Sequence, residues 1–199
     1  MKTFAYEAPV TIDQTITLMS QTQGQTLLLA GGTDLLVQLR ASNTDVDLVI
    51  DVKNIPELNQ VIYDEFSGLV IGAAAPCSQI YESSPILENF PAIIDAATII
   101  GGKAIQNRAS FGGNLCNASP SGDAIGAMMS LGAICNVVGL EGARNIPIEE
   151  FCIAPGKNVL AKGEMLISIQ IPCPKPNSGS NYQRFTPRAE MDIAVAGVG

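Results

Sequence analysis

Histidine is absent from the 199-residue chain, and with it go the usual central residue of zinc hydrolases, of Ser-His-Asp triads and of imidazole general bases. If the chain takes part in catalysis, another group carries the chemistry. A bound redox cofactor meets that requirement, because the protein then supplies position and electrostatics while the cofactor moves the electrons. Basic residues are also few: 11 Lys and Arg stand against 19 Asp and Glu, giving a net charge of −8 and a pI near 4.4. Nucleic acid and anionic membrane surfaces both demand a basic face, so neither is expected as a partner. The five cysteines, Cys77, Cys116, Cys135, Cys152 and Cys173, are odd in number and scattered, with no C-x-x-C pair. Neither a disulfide framework nor a metal site is indicated, and a reducing cytoplasm is the expected compartment. No apolar run approaches the roughly 18 residues of a membrane span, and the opening MKTFAYEAPVT has no signal-type apolar core, so a soluble protein is expected.

Two glycine pairs stand out against this background: Gly31 and Gly32 in LLLAGGTDLL, and Gly112 and Gly113 in RASFGGNLCNASPSGD. A Gly-Gly step brings bare backbone N–H groups close to an anion, and each pair precedes a polar cap and an apolar run that reads as a helix start. Two such turns could grip one diphosphate from two sides. Neither is a G-x-G-x-x-G fingerprint or a P-loop, since no Gly-Lys-Ser/Thr follows, and this weakens a phosphotransferase reading. For the first turn, a plain strand-to-helix connection capped by Thr33 competes evenly with phosphate binding. The second is denser, with Ser110, Asn114, Asn117, Ser119, Ser121 and Asp123 around its glycines, more hydroxyls and amides than a plain loop gathers. Asp123 is a poor neighbour for diphosphate but a good acceptor for sugar hydroxyls; its competing role is a first-turn acid on a helix dipole. Cys116, with no basic neighbour in the sequence, reads as a small filler rather than a reactive thiol. Lys103, Arg108, Arg184 and Arg188 could each meet a phosphate, with solvated surface charge as the default.

Along the chain, Thr11 can cap a helix carrying Ile16 and Met19 inward and stopping at Gly24. A strand is expected over 26–30, a short helix capped by Thr33 and Asp34 with Leu35, Leu36 and Leu39 at helical spacing, and a second strand over 47–52. These form a small βαβ-like unit. From residue 58 the texture changes to a hairpin, LNQVIYD and LVIGAA, that begins an antiparallel sheet. Pro85 and Pro91 can each open a helix at its first position, Asp123 can begin another with Met128 and Met129 in the core, and AICNVVGL and EMLISIQIP supply two more strands. PCPKPNSGSNYQRF reads as a linker or wide loop into a new strand at DIAVAGVG. The expected division is 1–57, 58–176 and a linker with the start of a further domain over 177–199.

Six segments in order, LLLAGGTDLL, LVIDVKNIPEL, LVIGAAAPCSQI, AIQNRASFGGNLCNASPSGD, GEMLISIQIP and YQRFTPRAEMDIAVA, closely resemble the FAD-binding subunit of the molybdenum hydroxylases, the xanthine dehydrogenase and carbon monoxide dehydrogenase type. The resemblance implies an α+β fold in which two subdomains hold FAD. Leu28, Leu29, Ala30, Gly31, Gly32, Thr33, Asp34 and Leu35 would wrap the diphosphate, and Ser110, Gly112, Gly113 and Asn114 would contact it from the other side. It further implies that Asp123 binds the sugar portion, that Ile100 and Leu166 supply apolar contacts, and that Arg184, where many relatives carry lysine, sits near the flavin ring. In such a complex iron-sulfur clusters on a small partner subunit pass electrons to FAD, having received them from a molybdenum cofactor on a large partner. An external acceptor, NAD, quinone or oxygen, takes them last. The resemblance implies a further C-terminal domain beyond the DIA motif, which is expected to be missing from this chain. A rival from another class is a non-redox scaffold that keeps the fold without FAD; the intact polar turns favour the flavoprotein.

Overall fold

The computed structural model describes residues 3–41, 45–189 and 192–199. The chain opens with strand β1 (Ala5–Glu7), helix α1 (Ile12–Gln21), β2 (Thr26–Leu29), α2 (Leu35–Ala41) and β3 (Leu48–Asp51). Thr11 caps α1 as its sequence position predicts, its hydroxyl accepting from the Gln14 amide at 3.2 Å. The helix ends at Thr22 rather than at Gly24; Gly24 instead lies hard against the Asp47 carboxylate, which accepts from the Gln25 amide at 2.7 Å. The three strands form one parallel sheet in the order β1-β3-β2, with β3 buried along its length. Because side chains alternate across a strand, Leu48 and Ile50 face one apolar cluster and Val49 another on the opposite side.

After the short helix α3 (Pro56–Asn59) come β4 (Val61–Asp64) and β5 (Gly68–Gly72), paired antiparallel from Val61↔Ile71 to Asp64↔Gly68. The turn is fixed at both ends: the Asp64 carboxylate accepts from the amides of Phe66 and Ser67, and Gly68 takes φ +89°, a conformation costly for any residue with a Cβ. Helices α4 (Cys77–Tyr81), α5 (Ser84–Asn89), α6 (Pro91–Ile99), α7 (Lys103–Gln106), α8 (Phe111–Asn117) and α9 (Asp123–Ser130) follow. Pro91 opens α6 as expected, whereas α5 begins one residue earlier than Pro85 suggests. The chain then adds β6 (Ile134–Gly139), β7 (Gly142–Pro147), α10 (Ile148–Phe151), the short β8 (Cys152–Ala154) and β9 (Lys157–Asn158), and β10 (Met165–Ile171). A five-stranded antiparallel sheet in the order β4-β5-β10-β6-β7 results.

Helices α4, α6, α8 and α9 pack on this sheet around a core that includes Leu69, Ile71, Phe90, Ile93, Phe111, Met128 and Phe151. Met129 is 46% exposed rather than core: on a helix with one buried face, adjacent residues point about 100° apart and only Met128 turns inward. A separate cluster, with Ile50, Val52, Ile55, Leu58, Ala74 and Met165, joins the two sheets. A bulge in β10 between Leu166 and Ser168 shifts its register with β6, so a strand that reads as one continuous run bends beside the junction.

The last stretch is tied down before it forms the hairpin of β11 (Gln183–Phe185) and β12 (Ala196–Val198). One carboxylate oxygen of Asp95, on α6, accepts from the Tyr182 amide and the Asn181 side chain, each at 3.0 Å. No helix among the described residues is long and apolar enough to cross a membrane.

Candidate functional site

The two sheets and their helices enclose a cleft of about 1550 Å³ lined from both sides. Its first wall is the β2–α2 connection. The strand delivers Leu28 and Ala30 toward the junction cluster, and the turn through Gly31 to Leu35 lines the opening. Gly32 takes φ +76°. At Gly31 the reason for glycine is different: an added Cβ would collide with the carbonyl of Arg108, which enters from the opposite wall. The two walls therefore touch backbone to backbone at this point.

The second glycine pair is not the loop its composition suggests. Gly112 and Gly113 fall inside α8, whose N-cap Ser110 accepts from the Gly113 amide at 3.1 Å. Glycine is a poor helix former, but this helix is pressed on the end of β5: a Cβ on Gly112 would strike the Ala73 backbone. Gly113 faces the cleft, where a Cβ would meet only the Ser110 hydroxyl, at 3.1 Å.

A third group closes the cleft from the C-terminal hairpin. Residues 182 and 184 sit on the same side of an extended segment, so Tyr182 and Arg184 converge on one carboxylate of α9. Arg184 donates to Asp123 Oδ2 at 3.0 Å and the Tyr182 hydroxyl to Oδ1 at 3.3 Å. Burial pushes the Asp123 carboxyl above its usual range, against the opposing pull of Arg184 and Tyr182. Burial, reinforced by the Asp123 charge, pushes the Tyr182 phenol up to about 12. The geometry is that of one ion pair with a phenol hydroxyl donating beside it.

Of the sequence-predicted residues, Leu28, Ala30, Gly31, Gly32, Thr33, Asp34, Leu35, Ile100, Ser110, Gly112, Gly113, Asn114, Asp123, Leu166 and Arg184 all line this cleft. Leu29 does not: strand alternation turns its side chain into the core with Leu39, Val46 and Val49. Asp34 is expected as a helix cap, yet its carboxylate accepts across the cleft from the Asn117 side chain at 3.0 Å. Lys103 also lines the cleft, while Arg188 pairs with Asp192 at 3.5 Å. Cys116 reaches the lining, but burial pushes its thiol up to about 12, helped by neighbouring Cys135 and Cys152, so it is inert as a nucleophile. Sequence reasoning missed Tyr182, Gln38 and Lys162, whose part depends on partners or walls distant in the chain. Among the described residues no group of three or more metal-ligating side chains gathers.

The residues present fit a long dinucleotide. The cleft exceeds the range of about 300–1,000 Å³ common for small-ligand pockets. The Asn114 side-chain oxygen, in the first turn of α8, is buried without a hydrogen-bond partner, a state that is costly until a ligand or water relieves it. The open face of Gly113 lets a phosphate approach the helix backbone.

The chain resembles known proteins along nearly its whole length. It is 34% identical over 194 residues to the xanthine dehydrogenase FAD-binding subunit of Escherichia coli O157:H7, and 28% identical over 194 residues to the carbon monoxide dehydrogenase medium chain of Hydrogenophaga pseudoflava. Those alignments cover 97% and 98% of this chain but 66% and 67% of the relatives. The chain thus spans about two thirds of their length. A solved carbon monoxide dehydrogenase structure from H. pseudoflava superimposes with a TM-score of 0.92 at 26% identity, covering 98% of this chain and 68% of that one. The model of the FAD binding domain in molybdopterin dehydrogenase matches residues 2–174, and the chain belongs to that family of FAD-binding domains.

Proposed function

We propose that this chain is the FAD-binding, electron-transferring part of a molybdenum-containing hydroxylase or dehydrogenase. In this reading it works in the cytoplasm beside a small subunit carrying iron-sulfur clusters and a large subunit carrying the molybdenum cofactor. The observation that carries the reading is the convergence of both glycine pairs, Asn114 and the Asp123–Arg184 pair on one cleft. FAD, when bound, would supply electron-transfer chemistry that no side chain here offers, between the clusters and an external acceptor such as NAD, a quinone or oxygen.

The residues themselves bind and orient. Gly31 to Leu35 and the first turn of α8 hold the diphosphate by backbone N–H groups and helix-terminus dipoles, the means available to an acidic protein that must bind an anion. Asp123 holds Arg184 and accepts from the sugar portion, and Arg184 sets the charge near the flavin. Ile100 and Leu166 supply apolar walls that exclude water. The substrate of the whole complex does not touch this chain.

An absorption spectrum from about 300 to 550 nm, followed by denaturation and chromatography of the released cofactor, tests the reading. Flavin bands with FAD released are expected. A colourless chain that takes up no added FAD would overturn it and leave the scaffold.

A further inference from the structure

The two walls of the cleft meet at a second place besides Gly31 and Arg108. Asn117, the last residue of α8, donates from Nδ2 to Asp34 Oδ2 at 3.0 Å and accepts at Oδ1 from Gln38 Nε2 at 3.2 Å. One amide thus uses a donor and an acceptor to grip two residues of the opposite wall. Asn117, Asp34 and Gln38 all line the cleft. Along the chain, Gly32 and Thr33 fall between the two contacts on one wall and Ser110, Gly113 and Asn114 on the other, and all five line the cleft. The stretch read above as the diphosphate site is bracketed at both ends.

The two brackets differ in kind. Gly31 packs on a peptide carbonyl and cannot yield without moving the backbone, whereas Asn117 is held by exposed side-chain hydrogen bonds that water can replace. A dinucleotide is thin at its diphosphate and wide at its two heterocycles, so it enters a bracketed cleft sideways, through the side that opens. The amide also turns the Asp34 carboxylate toward itself, which matters where a second anion is to sit.

We propose that Asn117 is a positioning residue that closes the cleft across the FAD diphosphate, so that its bonds to Asp34 and Gln38 govern how fast the cofactor enters and leaves. The proposal rests on the FAD reading above. A contact that merely added affinity would slow release and leave entry unchanged; a clasp slows both.

The test is stopped-flow mixing of the FAD-free chain with FAD, followed by flavin fluorescence, with Asn117→Ala and the exchanged pair Asp34→Asn/Asn117→Asp. All three proteins carry the same net charge, and the exchanged pair can rebuild the bond with donor and acceptor reversed. Asn117→Ala is expected to speed association and dissociation alike by about fivefold, the scale of two exposed hydrogen bonds, with Kd within about twofold. The exchanged pair alters two side chains and leaves the backbone N–H groups of residues 31–35 in place, so it is expected near wild-type rates. Unchanged rates in Asn117→Ala, a change in dissociation alone, or an exchanged pair that behaves like Asn117→Ala would overturn the clasp while leaving the FAD reading standing. Failure of wild type itself to bind FAD would overturn both.

Discussion

The two glycine pairs look alike in the sequence and are employed differently in the fold. At Gly31–Gly32 a strand turns into a helix, one glycine yielding to a carbonyl of the other wall and the next taking a left-handed φ. At Gly112–Gly113 the chain is already helical, one glycine pressed on Ala73 and the next open to the cleft. Within each pair, then, the first residue serves close packing. The second shapes the surface of the cleft: Gly32 by backbone conformation, Gly113 by leaving space. A Gly-Gly signature therefore does not by itself say that both residues face an anion.

That comparison can be broken at its packing positions, where effects are largest. Gly31→Ala and Gly112→Ala each force a methyl group onto backbone of another segment, and each is expected to lose about 2–3 kcal/mol of stability, the upper part of the overpacking range. Urea denaturation midpoints measure this, and a loss below about 0.5 kcal/mol would show that the walls separate easily. Gly32→Ala is expected to cost less, about 1 kcal/mol, because its penalty is the left-handed backbone, although the nearby Leu29 side chain must also shift.

The parallel sheet leans on a charge as well. Asp51, at the end of β3, accepts from the Tyr6 hydroxyl and from Lys53 Nζ, each at 2.7 Å. Burial pushes its carboxyl up, but the hydrogen bonds from Lys53 and Tyr6 outweigh burial and hold it below its usual value. A carboxyl lowered in the folded state contributes stability that is present above its unfolded pKa, about 3.9, and lost as pH falls through the folded value. Stability is expected to drop on acidification below about pH 4, and Asp51→Asn, less stable at neutral pH, to show a smaller drop. Denaturation of both proteins at pH 7 and pH 3 checks this, and equal acid sensitivity would remove Asp51 from the account.

The smallest expected effect on stability is the most informative for the site. Gly113→Ala places a methyl group against Ser110 Oγ alone and gains helix propensity of about 0.5–1 kcal/mol, so the fold is expected to change by less than about 0.5 kcal/mol. The same methyl group occupies the approach to the backbone, and FAD affinity is expected to fall about tenfold or more. Unchanged affinity would move the diphosphate away from α8.

Much of this was legible because local rules agreed: Thr11 before an apolar period, the β4–β5 hairpin with its glycine, and Pro91 at a helix start all mean the same thing in most surroundings. The elements that escaped notice carry weak local signals. β1 is three exposed residues, and β7 has one buried residue in six with no alternation. Helix α8 was hidden by its own glycines, since the packing that permits them comes from Ala73, far back in the chain. In the site itself the strand-to-helix turn at Gly31 and Gly32 could be read, while Asn117 and Tyr182 could not be assigned their partners. Those partners lie 83 and 59 residues away, and no local spacing encodes such a contact.

The central claim is that the cleft between the two glycine pairs holds a diphosphate. Displacement of FAD from the chain by ADP and by adenosine, which differ by the diphosphate alone, followed by flavin fluorescence, tests it most directly. The account predicts ADP binding at least about a hundredfold tighter than adenosine, the worth of roughly 3 kcal/mol of backbone and dipole contacts. Equal affinities would contradict it, leaving the nucleoside as the bound part and the glycine pairs as structure alone.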